Sequence, residues 1–532
     1  MQNEFDLIIR GASVVDGTRN AARRADVGIR HDKIAEVGII PNEALTQETL
    51  NAEGLTVCPG FIDIHTHADI ALLARPAHLP KVMQGVTTEV FSNCGLGFAP
   101  ITDAALEIQR SYISGLFGDD GNSETDDPRS HRVDWSWRSV AEFLACYESS
   151  GIGTNVAYLI PHGAVRVSVM GMQERAADRG EVERMRSMVL QGMDEGAWGV
   201  STGIWYAPMR AADRTELVTV FRAGGLFATH QRDYGISIFE ATQESIEVAR
   251  EANVPVQISH LQMNGPQNAG RAGKLIEMLN AARSSGVDVT CDTYPYTAGS
   301  TFIQSLLPAW ASEGGPTSIL DFLAIEGESK SRVLAYLNTL SAVWSEYMLV
   351  GATSSINQPF DGLTFPEIAS ARDLTVPEWI CRVLLEDELR ACFVHHGAHE
   401  GNVREIMSWD HQMVGSDGLH LTGKTHPRLF GTFPRVLGKY VRETQTISLE
   451  SAVYKMTGAP AERLGLKDRG FIRPGLAADL TIIDSATVTD TATFTDPLQY
   501  PAGVPFVFVN GVAAVRNGLP TGALAGSVLR RQ

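Results

Sequence analysis

Two histidines stand two residues apart, His65 and His67 in PGFIDIHTHAD, in an apolar stretch. On a strand, residues i and i+2 project to the same side, so both imidazoles are offered to one place. A donor closing an apolar, β-branched run recurs at Cys94 (VTTEVFSNCG), His230 (GLFATH), His260 (VPVQISH) and Asp417 (MVGSDG). Cys94 follows His65 by 29 residues and His260 follows His230 by 30, about the length of one strand–helix–strand unit. Imidazole, thiolate and carboxylate are all good Zn²⁺ ligands. Each donor alone reads as a hydrogen-bonded core group. Together, at the same end of successive strands, they read as a catalytic metal site.

Such a site needs a frame that brings strand ends together. Between about residues 60 and 460, strand-like runs alternate with helical ones such as RGEVERMRSMVLQGMDEG and SIFEATQESIEVAREAN. That rhythm predicts an α/β fold, a (β/α)₈ TIM-like barrel over 59–460, whose chemistry sits at the C-terminal ends of its strands. EYMLVGAT and RACFVHHG are surplus strand candidates. Residues 1–58 and 461–532 are rich in short strands, with Asn-Gly hairpin signals at 510–511 and 517–518. They predict one small β-sandwich domain assembled from both chain ends. Residues 297–345 follow a strand with helical runs of their own and are expected to form an inserted lid. The polar, acidic stretch 117–137 reads as a surface loop.

The net charge of −18 over 532 residues excludes a nucleic-acid partner that needs a basic face. No apolar run is long enough to span a bilayer, and the N-terminal residues read as a strand rather than a signal peptide. The six scattered cysteines suit reduced thiols in a cytoplasmic protein. Homo-oligomerisation is left open.

The chain resembles the amidohydrolase superfamily, through the HxH on the first strand, His230, His260 and Asp417. Within it, GVTTEVFSNCG, YLIPHGAVRVSVMG, GAWGVSTGIWYAP, ATHQRDYG, DTYPYTAGST, GSDG and HPRLFGTFPRVLG are similar to the N-acyl-D-amino-acid deacylase (D-aminoacylase) family. A cysteine at position 94, where many relatives use a carboxylated lysine elsewhere, marks that branch. The resemblance implies Zn²⁺ in a tight position on Cys94, His230 and His260, with a second position on His65, His67 and Asp417. It implies a small N-acyl substrate, an N-acyl-D-amino acid or a neutral derivative. Asp417 would be the catalytic residue, taking a proton from water and returning it to the departing amine.

One departure bears on the substrate. The family's lysine two residues after the second of these strand histidines is Gln262 here, while Tyr294 and Ser300 match the other substrate contacts. The missing charge would come from Arg232 or Lys274, or the substrate is neutral at that point. His395 and His396 end an apparent strand, and His396 is taken as a further substrate contact. His162 reads as structural, His420 and His426 as loop residues near Asp417. The competing readings are a hydantoinase-like hydrolase of cyclic amides or imides, and a non-catalytic binding protein on the same fold.

Overall fold

The computed structural model describes residues 4–118 and 132–531. Its centre is a parallel sheet of eight strands: Phe61–Asp63, Val86–Phe91, Asn155–Pro161, Gly199–Gly203, Phe227–His230, Val256–Ile258, Val289–Thr293 and Gln412–Val414, hydrogen-bonded in chain order. The two outer strands meet just beyond their ends. Thr66–His67 pairs in parallel with Gly418–Leu419, and the Asp417 amide donates to the His65 carbonyl at 2.8 Å. This seam closes the barrel.

The strands are buried on both faces, as a barrel covered by helices requires, and several bury polar side chains such as Glu89, Ser201 and Asp292 among the apolar ones. Helix Arg179–Asp194 shows how the cover is made. Asp178 and Glu181 form a reciprocal capping box at its start, and Val182, Met185, Val189 and Gly192 face inward. A Cβ at Gly192 would meet Ile160 Cδ1 of the third strand at 2.7 Å, so glycine sets the closeness of this packing.

Both chain ends contribute to a second sheet of nine strands, in which Leu480–Ile483 pairs antiparallel with Thr56–Pro59. Alternation divides its strand Phe506–Val509 between two environments. Phe506 and Phe508 pack with Leu7, Val27 and Ile482, whereas Val507 and Val509 face the barrel-side core of Phe61, Val86 and Phe433. The two chain ends thus share one sheet that has a core of its own on one face and the barrel-side core on the other.

The surplus strands belong to neither sheet. Gly299–Phe302, Cys392–His395 and Tyr347–Val350 form a separate antiparallel sheet between the seventh and eighth barrel strands. Because Gly299 pairs with His395, this excursion is one unit and reaches well past the 297–345 stretch expected from the sequence. Of the loop expected at 117–137, residues 119–131 lie outside the described residues. At its end Arg132, Asp134 and Ser136 are exposed, but Trp137 is 1% exposed and its indole N–H donates to the Phe98 carbonyl at 2.9 Å.

Asp361, in the excursion, accepts the Lys424 amide at 2.7 Å, but its Oδ1 is buried without a partner. Burial raises its carboxyl to about 6, against which the Lys424 amide lowers it. A carboxyl raised on folding contributes fully only below its unfolded value near 3.8, and that contribution is lost as pH rises through about 6. Asp361→Asn is therefore expected to stabilise the fold at pH 8 by about 1–3 kcal/mol. No gain is expected at pH 3.5. Thermal midpoints of both proteins at the two pH values decide it, and equal gains would rule out the titration.

Candidate metal centre and active site

The candidate ligands converge at the C-terminal mouth of the barrel, but mostly from sharp turns just beyond the strands. His65 lies past the first strand, Cys94 in the turn Asn93–Gly95, His260 past the sixth strand and Asp417 past the eighth, whereas His230 and His67 end their strands in register. Cys94, His260 and Asp417 have φ of 57°, 33° and 50°, left-handed values that cost a side-chain-bearing residue free energy. Hydrogen bonds hold the turns: Gly95 N donates to Ser201 Oγ at 2.9 Å and His260 N to Asp292 Oδ1 at 2.7 Å. Gly203 lacks a Cβ where one would strike the Cys94 carbonyl.

Cys94 Sγ lies 3.3 Å from both His65 Nε2 and His260 Nε2. Asp417 Oδ1 lies 3.4 Å from His65 Nε2 and 3.2 Å from His67 Nε2. Three overlapping trios have ligand atoms all within 4.8 Å of one another: Cys94–His230–His260, His65–His67–Cys94 and His65–His260–Asp417. The trios share members, so they form one continuous donor patch.

Cation binding fits this patch. Nδ1 of His67 and of His230 are buried without hydrogen-bond partners, a costly state for polar atoms. Burial holds His230 well below its ordinary value and His260 at about 4, which keeps both imidazoles neutral with lone pairs to give. Burial also opposes a charge on His65, but Cys94 and Asp292 raise it on balance. With burial pushing the Cys94 thiol up to about 11, a nearby cation is what would release its proton. At Asp417 burial again opposes the charge, and Arg428 followed by His260 and His65 overcomes it, holding the carboxyl well below its ordinary range.

Four side chains not singled out from the sequence position these ligands. Asp292 accepts from His65 Nδ1 at 3.1 Å, directing Nε2 into the site, as well as from the His260 amide. Arg428, fully buried, pairs with Asp417 Oδ2 at 2.8 Å and lies over the Tyr294 ring at 4.6 Å. Asp63 accepts Lys81 Nζ at 2.7 Å and the Ser416 amide at 2.8 Å, while Lys81 also reaches Ser416 Oγ, next to Asp417. Asp292 and Arg428 stand inside DTYPY and HPRLFG, so those motifs carried the signal. Lys81→Met strands a buried carboxylate and is expected to cost about 3–5 kcal/mol. A urea midpoint within error of the parent protein would contradict it.

A cavity of about 290 Å³ opens onto the patch, lined by His67, Cys94, His230, His260 and Asp417, and by Gln262, Tyr294 and Ser300. His396 is a correction. His395 lines the cavity, its ring stacked 4.4 Å from Tyr347, whereas His396 packs on Phe494 at 4.7 Å. Alternation along Cys392–His395 and its pairing with Tyr347 choose the residue. His162 bonds Thr202 and Glu216, His420 stacks on His78, and His426 bonds the Ala298 carbonyl; none lines the cavity. Arg232 is spent on Glu244 and Lys274 is exposed on helix Ala272–Ser284, so neither brings a charge to it.

A family model described as amidohydrolase family matches residues 48–313 and 375–515. The chain belongs to the amidohydrolase family, in its D-aminoacylase branch. This amidohydrolase is 35% identical to a D-aminoacylase of Alcaligenes xylosoxydans xylosoxydans, over 99% of this chain and 98% of the relative. It superposes with a TM-score of 0.82 on a crystal structure of D-aminoacylase (34% identity, 99% of this chain and 100% of that one), described through its binuclear metal centre. An N-acyl-D-glutamate deacylase from Bordetella bronchiseptica, complexed with zinc and a phosphonate inhibitor, gives the same TM-score of 0.82 at 29% identity, with 100% of both chains covered. Among the described residues, no helix of this amidohydrolase is long and apolar enough to cross a membrane.

Proposed function

We propose that this chain is a zinc-dependent hydrolase of the N-acyl amide bond in N-acyl-D-amino acids and their neutral derivatives. One observation carries the reading: Asp417 Oδ1 faces His65 and His67 at a cavity whose wall also presents Cys94, His230 and His260. In the reaction, water oxygen bonds to the acyl carbon, the C–N bond breaks, and a water proton ends on the amine. Zinc, when bound, supplies a Lewis acid and lowers the pKa of water towards about 7.

Asp417 supplies the proton traffic. It is ionised at neutral pH and begins as acceptor, then donates to the leaving nitrogen. Arg428 occupies Oδ2, which leaves Oδ1 as the oxygen turned to the cavity. Cys94, His230 and His260 would hold the tight ion, with His65, His67 and Asp417 as the second position. The D-aminoacylase neighbour, described in terms of one-metal activation and second-metal attenuation, supports one ion as sufficient. The D preference rests on the relatives. Six unpaired thiols suit a reducing cytoplasm.

The test is amine release from N-acyl-D-amino acids and their L counterparts by zinc-loaded enzyme. The D forms should be cleaved and the L forms spared. Equal or faster cleavage of the L forms would remove the D assignment. Ring opening of hydantoins without cleavage of either series would move the chain to the cyclic-imide reading.

A further inference from the structure

The wall of the cavity beside Tyr294 has a hydrogen-bonding pattern that selects its occupant. Gln262 is 4% exposed, lines the cavity, and donates from Nε2 to the Tyr296 carbonyl at 2.8 Å. A main-chain carbonyl can only accept, so the side-chain amide must turn its NH₂ to Tyr296. That leaves Oε1, an acceptor, for the cavity. Ser300 Oγ, in the same lining, is buried without a partner. Among the described residues, no lysine or arginine lines the cavity. The guanidinium of Arg428 lies over the Tyr294 ring, paired with Asp417 and donating to the Ser300 carbonyl.

A group bound at Gln262 Oε1 meets an obligate acceptor, beside the Ser300 and Tyr294 hydroxyls, which give or accept. A carboxylate offers only acceptors, so its oxygen against Gln262 Oε1 would leave both unpaired and in repulsion. A carboxamide offers N–H to Gln262 and its carbonyl oxygen to the hydroxyls of Ser300 and Tyr294. We propose that this subsite takes a carboxamide, so that the preferred substrates are N-acyl-D-amino acid amides rather than free N-acyl acids. The proposal rests on the N-acyl hydrolase reading above and names the group beside the scissile bond.

The experiment compares kcat/KM of zinc-loaded wild type and Gln262→Lys on three matched series: N-acetyl-D-amino acid carboxamides, their methyl esters and the free acids. The carboxamides should lead both others by about tenfold, the order expected for one well-placed hydrogen bond, and Gln262→Lys should shift preference towards the acids. A second readout needs no turnover. Calorimetry on metal-free protein should show the D-amino acid amide binding more tightly than the D-amino acid. Free acids cleaved as well as carboxamides would overturn the proposal while leaving the hydrolase reading intact. Esters matching carboxamides would also overturn it, since esters lack the N–H. Turnover of no series would overturn both readings together.

Discussion

Asp417→Asn is expected to keep the tightly held metal and lose about 10²–10⁴-fold in kcat, the range that general acid–base catalysis contributes. Asparagine preserves shape and an oxygen for Arg428, but it cannot take a proton from water or pass one to the amine. In the parent enzyme Arg428, His260 and His65 hold the carboxyl well below its ordinary range, against the cost of burial. The acidic limb of kcat/KM governed by this group should therefore lie below the usual carboxylate range. Kinetics and metal analysis of the same preparation make the test. Loss of the metal along with the activity would make Asp417 a structural ligand, and a kcat within tenfold of the parent would end its role as base.

Cys94→Ala should abolish tight metal binding and activity together. Cys94 Sγ sits at 3.3 Å from two imidazoles and is common to two of the three donor trios, and the trio without it has no thiolate to offer. Asp292→Ala is the calibrating variant. It touches no cavity surface but orients His65 and the His260 amide, and loss of such an outer partner costs roughly 10–100-fold in metal affinity. Cys94→Ala should exceed that loss, measured as zinc retained against a competing chelator. A Cys94→Ala protein that keeps its zinc while the Asp292 variant sheds it would reverse the two roles.

Much of this site was legible because barrel chemistry is periodic. His65, Cys94, His230 and His260 recur at strand ends, and one strand–helix unit sets their spacing. Lys81 and Asp63 stayed hidden because their roles exist only across the seam. Asp63 meets Ser416 through a contact that no local pattern announces. Tyr347–Val350 and Cys392–His395 look like barrel strands because a short apolar run does not say which sheet it joins. The choice of His396 over His395 failed for a related reason: a one-residue difference reverses the face, and only pairing with Tyr347 settles it.

The seam also sets a timetable for biosynthesis. A chain leaving the ribosome N-terminus first has presented Cys94, His230 and His260 once residue 260 has emerged. The wall that shelters them from water comes with Gln412–Val414 and the pairing of Thr66–His67 with Gly418–Leu419. The nearly finished chain must thread its last barrel strand home before Asp417 reaches the other candidate ligands.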